Sequence, residues 1–374
     1  MKIVIFGLSI TSSWGNGHAT TFRALARGLR SRGHDIVFFE KNVEWYESNR
    51  DLPEPAFCRL HLYESWPEIV RGVRRELGNA QVAMIGSYFP DGPAAINEVF
   101  DSKVAVKTFY DIDTPITIAN LRTGAADYLR PEQVRGFDIY FSFTGGPLLD
   151  EVRSKFGAQA AVPLYCSFDP DQYRFIPVRP EHECDFSYMG TYAPDRQEKI
   201  EELFCKPARE LVEKKFLLAG PQYPHQIRWP DNVRRIIHVD PQSHASFYSC
   251  SRMTLNVTRR LMVVAGYSPS VRLFEAAACG TPIVSDCWEG LETFLTPGRE
   301  ILLARSSDDV IGYLTKMESE ELVRIGRRAR ERVLAEHSAE RRAREFEDRI
   351  SAAMSSRSST IGRAEADKVS SLSG

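Results

Sequence analysis

A chain of 374 residues that is 43% hydrophobic, with a formal charge of −2, is long enough for two globular domains, each with its own core. Its 48 basic and 50 acidic residues leave no net positive charge, which argues against nucleic acid as the partner and favours a small-molecule substrate. Seven cysteines without a Cys-x-x-Cys pair argue against a disulfide scaffold or a zinc site and read as reduced, buried thiols.

The opening run Met1–Gly7 is too short for a signal peptide, and no later stretch approaches the roughly 20 apolar residues that span a bilayer, so a cytoplasmic protein is expected. Residues 2–6 and 35–39 read as buried strands, with helical spacing from Ala19 to Arg32 between them. Further strands are predicted at 81–86, 104–110 and 137–142, and this alternation implies a doubly wound parallel sheet occupying residues 1–168. A linker rich in proline follows at 169–182.

A second α/β domain is expected over 183–318, with strands at 184–189, 215–219, 235–239, 253–257, 282–285 and 301–304. Residues 319–354 have the charge and spacing of amphipathic helices that brace the two domains. The polar stretch 355–374 offers little to bury and is expected to be disordered.

The first candidate site is the loop from Leu8 to Thr21, at the carboxyl end of the first strand, where such sheets bind ligands. His18 would stand at a helix start, where the positive helix end disfavours a further proton and suits the imidazole to general-base work. Equally, Gly15 and Gly17 make only a turn and His18 only caps. Asp111 and Asp113 end another predicted strand on the same rim, so that either carboxylate can orient the imidazole; capping before Pro115 is the plain reading of both.

The second candidate site runs from Ser268 to Asp286. Ser268 and Pro269 start a predicted helix and Gly280 ends it. The open N–H groups around Ser270 and Leu273 suit a diphosphate, with Arg272 as an added cation and Glu275 placed to accept from ribose hydroxyls. Gly190-Thr191-Tyr192 is another strand-to-helix loop, with Arg196 or Arg259 available for phosphate. His238 and His244 line the nucleotide pocket or are ordinary loop histidines. Trp45, Tyr46, Tyr63, Trp66, Tyr88 and Phe89 fall where acceptor loops are expected, with core packing the alternative.

The Glu275–Val284 run resembles the donor-site helix of GT-B glycosyltransferases. With Tyr188–Tyr192, His238–Pro241, Phe247-Tyr248 and Leu255–Arg259, the second half resembles the CgeB-like bacterial glycosyltransferases. The resemblance implies a GT-B architecture of two Rossmann-like domains facing across a cleft. It implies Glu275 on the donor ribose, with Gly17, Gly190, Thr191, Tyr192, Arg196, His238, Arg259, Ser270, Arg272 and Leu273 about a nucleotide diphosphate sugar, a UDP-sugar favoured. No separate cofactor or metal is expected. The acceptor, a small molecule, glycan or lipid, and the oligomeric state stay open.

Retaining members of a large GT-B group carry a second glutamate eight positions before the first, where this chain has Tyr267. The Gly17-His18-Ala19 opening is instead similar to inverting transferases with a histidine base, so inversion by His18 with Asp111 or Asp113 is expected.

Three other functions compete. A nicotinamide-dependent dehydrogenase is suggested by Gly15–Thr20 and Glu40, but the glycines lie too far from the first strand and Thr20 stands where the third glycine belongs. A nucleotide-sugar epimerase would share the donor site, and a non-catalytic sugar-binding protein would share the fold.

Overall fold

The computed structural model describes residues 1–15, 17–177 and 180–372, and the side chains of all of these except 181 and 358–372. In the first domain, strands β1 (Lys2–Phe6), β2 (Asp35–Lys41), β3 (Arg59–Tyr63), β4 (Val82–Gly86), β5 (Val106–Asp111), β6 (Ile139–Ser142) and β7 (Ala161–Pro163) form one parallel sheet in the order β3-β2-β1-β4-β5-β6-β7. Helices cover both faces, so Ile3, Val4, Ile5 and Phe6 are all buried. This is why β1 reads as a continuous apolar run rather than an alternating one.

The second domain repeats the plan with β8 (Cys184–Met189), β9 (Phe216–Ala219), β10 (Val233–Ile236), β11 (Ser251–Asn256), β12 (Ile283–Ser285) and β13 (Leu302–Leu303), ordered β10-β9-β8-β11-β12-β13 and again parallel. The order reverses beside β1 and beside β8. In open α/β sheets the crevice for ligands lies there, beyond the carboxyl ends of the strands.

Several sequence expectations need correction. β3 and β7 were not expected: β3 is a half-exposed edge strand and β7 has three residues ending in a proline, so neither carries the apolar run that marked its neighbours. β10 ends at Ile236, placing His238 in a loop rather than on the predicted 235–239 strand. The donor-site helix begins at Val271 with Ser270 as its cap, two residues later than the Ser268-Pro269 start.

The final helix runs from Ala339 to Leu372, so residues 355–372 are helical where disorder was expected. With no proline and only Gly362 in that stretch, hydrogen bonding already established through Ser351–Met354 continues. Residues 373 and 374 of the expected tail lie outside the described residues, as do 178 and 179 of the expected linker and Asn16 of the glycine loop.

The C-terminal helices pack on both domains. Helix Ser319–Glu336 packs on helix Val271–Ala278 of the second domain; helix Ala339–Leu372 lies along helix Gly17–Ser31 of the first. The corner between them is pinned where Ala339 N donates to Phe168 O at 2.9 Å. There the His337 ring stacks on Phe274 with centroids 4.4 Å apart, and burial beside Arg342 pushes its pKa down to about 3. Gly28 permits the helix contact, since a Cβ there would lie 2.5 Å from the Ala339 carbonyl oxygen. Phe346 and Ile350 join Ile5, Phe141 and Phe274 in a core that runs through both domains. Among the described residues, no helix is long and apolar enough to cross a membrane.

Candidate active site

The carboxyl edges of the two sheets face each other across a cavity of about 630 Å³. Every strand-end loop singled out in the sequence arrives there: the loop before His18 from β1, Asp113 just past β5, Gly190 and Thr191 after β8, His238 after β10, Arg259 after β11, and the Ser270–Glu275 turn. Gly17, Tyr192, Arg196 and Arg272 complete the set of expected residues on its wall. Asp111 and Leu273 are absent from that wall.

His18 lies in the first turn of helix Gly17–Ser31, and its Nε2 is 3.3 Å from Oδ2 of Asp113. Asp111 does not reach it. Asp111 is wholly buried at the end of β5, where Tyr140 donates to one oxygen and Thr117 Oγ1, at 2.7 Å, to the other. Burial pushes its pKa up to about 6, against these stabilising hydrogen bonds. The orienting role foreseen for either acid therefore has geometric support at Asp113 alone. Asp111 serves beneath it, accepting from the Asp113 backbone N–H at 3.2 Å.

Opposite stands helix Val271–Ala278. Leu273 belongs to the hydrophobic core, and its N–H is already spent on Ser270 O at 3.1 Å, so its expected donor role is corrected. Arg272 is held in place rather than mobile: Nη1 donates to Asn256 Oδ1 at 2.8 Å, Nε to Met189 O at 2.5 Å, and the guanidinium lies 5.1 Å from the Tyr188 ring centroid. Gly190 is needed there, because a Cβ would come within 2.9 Å of Arg272 Nη2. Glu275 is 4% exposed and accepts from Tyr248 OH at 3.3 Å.

Asn256 and Tyr248, which fix Arg272, Ser270 and Glu275, were missed as functional residues by the sequence reading. Both lie in runs quoted for the family resemblance, but a buried Asn or Tyr advertises no chemistry by its type alone. His244 lines the cavity, its ring tied to Tyr173 OH at 3.0 Å and Val239 O at 3.2 Å. His238 packs against Trp14 of the first domain, ring centroids 4.3 Å apart, and burial lowers its pKa.

The cleft is also bridged by Gly145 N donating to Tyr267 O at 2.9 Å and by the Thr144 and Ser268 hydroxyls at 2.8 Å. Tyr267 itself, φ +47°, is wedged between Gly146 and Gly290 and presents nothing to the cavity. Among the described residues, no three His, Cys, Asp or Glu side chains are grouped to hold a metal ion.

The sequence profile of a family described as glycosyl transferase-like matches residues 196–348, which include Arg272 and Glu275. No curated protein matches the sequence. Sucrose-phosphate synthase from Thermosynechococcus elongatus is similar in structure, with a TM-score of 0.67 at 13% identity over 93% of this chain and 98% of that one. HepE of Anabaena, solved with UDP and glucose, gives 0.68 at 12% identity over 94% and 100%. An alpha-glucosyltransferase, solved with UDP-glucose and DNA containing an abasic site, gives 0.71 at 13% identity over 94% and 99%. The profile match identifies residues 196–348 as a glycosyl transferase-like region, and the fold along nearly the whole chain is that of GT-B glycosyltransferases.

Proposed function

We propose that the enzyme transfers a sugar from a nucleoside diphosphate donor, by preference a UDP-sugar, to a hydroxyl acceptor, with inversion at the anomeric carbon and without a metal ion. The observation that carries this reading is the placement of the His18–Asp113 pair on one wall of the cavity and the Ser270–Glu275 turn on the facing wall. His18 takes the proton of the acceptor hydroxyl as its oxygen attacks the anomeric carbon. The bond to the diphosphate breaks, and the nucleoside diphosphate leaves.

Asp113 orients the imidazole and stabilises the imidazolium that forms. Arg272, with Arg196 and Arg259, meets the charge growing on the diphosphate. Glu275 accepts from the ribose hydroxyls. HepE and the alpha-glucosyltransferase hold UDP or UDP-glucose, which supports uridine as the base. The finer likeness to CgeB-like enzymes is supported by Gly190-Thr191-Tyr192 and His238, which lie on the cavity wall.

Independence from metal is supported by the divergence of the Asp111-Ile112-Asp113 carboxylates, one on Tyr140 and Thr117 and the other on His18. A strand-end Asp-x-Asp that holds an ion needs an exposed carboxylate, and Asp111 has none.

Calorimetric titration of the wild type and Glu275→Ala with UDP, GDP, ADP and TDP, in metal-free buffer, tests the donor half. One nucleotide should bind the wild type and lose most of its affinity in the variant. Binding of none sinks the proposal.

A further inference from the structure

Among the described residues, the arginines that line the cavity, Arg196, Arg259 and Arg272, stand on the second-domain wall, while the first-domain wall around His18 carries Leu8, Tyr46, Tyr88, Ile112 and Phe143. Tyr88 is distinguished from the others by its backbone. At φ +62° it occupies the left-handed region, which a bulky residue rarely takes and which glycine takes freely. Strain of this kind persists only where the surroundings enforce it, and it concentrates at ligand clamps.

The enforcement is visible on both sides. Ser87 N donates to Tyr110 O at 3.0 Å, Ser87 Oγ accepts from Ile112 N at 3.0 Å, and Phe89 is fully buried. The Tyr88 ring packs against that of Tyr128, their centroids 4.7 Å apart. Tyr128 OH is 2.7 Å from Thr117 Oγ1, which is 2.7 Å from Asp111 Oδ1. The buried Asp111 thus anchors a hydrogen-bonded chain that fixes Tyr128, against which the Tyr88 ring rests. Full burial does not offset the strain, because Tyr88 is only half-buried and gives part of its surface to the cavity, with its ring centroid 5.4 Å from that of His18.

Resting on the function proposed above, we infer that Tyr88 is the acceptor platform and that the acceptor presents a pyranose ring to it. The electron-rich face of a tyrosine attracts the positively polarised C–H face of a pyranose. A sugar lying on Tyr88 has its hydroxyls at its rim, where one can point to His18. The first-domain wall carries no arginine or lysine among its described residues, and its carboxylate, Asp113, faces His18, so it suits a neutral ring better than a phosphorylated head group. Tyr88 acts as a specificity-determining residue: it touches the acceptor and leaves the donor to the opposite wall.

The test uses the full chain saturated with UDP and ligand-observed saturation-transfer NMR with the methyl α- and β-pyranosides of glucose, galactose and mannose. At least one glycoside should bind the wild type through its ring C–H protons. Tyr88→Phe should keep that affinity; Tyr88→Ala and Tyr88→Gly should lose about tenfold. All three variants should bind UDP as the wild type does, and Tyr88→Gly, which adopts the left-handed backbone without cost, guards against a folding defect in Tyr88→Ala. Failure of all six glycosides to bind wild type that does bind UDP overturns the platform but leaves the donor site standing. Unchanged glycoside affinity in Tyr88→Gly overturns it equally. Failure of every nucleoside diphosphate to bind the wild type overturns both readings.

Discussion

Oδ2 of Asp113 lies 3.3 Å from Nε2 of His18, a contact between residues 95 positions apart that only the approach of β5 to the β1 loop creates. The two side chains form one unit, so their substitutions should not add. His18→Ala should lower kcat by about 10²–10⁴. Asp113→Asn should lower it less, and the double variant should be no slower than His18→Ala. Steady-state kinetics checks this, with nucleotide affinity unchanged in all three. Additive losses would place the two residues in separate roles.

Asp111 makes a pH prediction. Its pKa is raised to about 6 by burial, above the value near 3.9 of an unfolded aspartate. The folded state therefore holds this proton more tightly than the unfolded one. Its contribution to stability is fully present below pH ~4 and is lost as pH rises through ~6. Relative to Asp111→Asn, the wild type should lose on the order of 2–3 kcal/mol across that window and nothing further above it. Urea denaturation of both proteins from pH 4 to 8 measures the difference; a wild-type curve that gains on the variant with rising pH would contradict the assignment.

Arg272→Lys should be far from conservative. The guanidinium spans Asn256 Oδ1 and Met189 O while lying over Tyr188, and an ammonium cannot reproduce that fork. Nucleoside diphosphate affinity should fall about 10- to 100-fold, equivalent to ~1.4–2.8 kcal/mol. Calorimetry with UDP reads this directly, and a variant that binds as tightly as wild type would remove Arg272 from the donor site.

Gly28→Ala opposes two effects of known size. Alanine favours a helix over glycine by about 1 kcal/mol. The added Cβ, however, meets Ala339 O at 2.5 Å and Ala343 Cβ at 3.1 Å, and overpacking of that kind costs about 1–3 kcal/mol. Net destabilisation is expected in chemical denaturation, and a stabilised variant would show that the helices separate freely.

Transfer activity should survive a chelator. Loss of activity in EDTA, restored by magnesium or manganese, would refute the metal-free scheme.

Much of this architecture was legible in the residues, for a physical reason. Strands buried on both faces, such as Ile3–Phe6 and Phe216–Ala219, leave unbroken apolar runs, while β3 at a sheet edge and the three-residue β7 leave almost none. Glycine and proline placed the donor helix to within two residues, because Gly280 takes φ +76° past its end.

The candidate site was legible in residue type at His18, Arg272 and Glu275, all three of which line the cavity. It was not legible where one acid had to be preferred to another. Asp111 and Asp113 are equivalent on paper and differ only in which side of the strand end they face, a matter decided by Tyr140 and Thr117. Nor does any local pattern announce that Asn256 clamps Arg272 or that Tyr88 takes a backbone suited to glycine.

The packing of Ala339–Ile350 against helix Gly17–Ser31 has a consequence for the order of events during synthesis. A ribosome delivers the seven strands of the first sheet by residue 163, yet the apolar side of Gly17–Ser31 that receives Ala343 and Phe346 has no cover until more than 170 further residues have been made. At bacterial or eukaryotic elongation speeds of ~5–20 residues per second, that interval lasts roughly ten seconds or longer. During it the amino-terminal half is a nascent body with an open flank, and its completion coincides with that of its partner domain rather than preceding it.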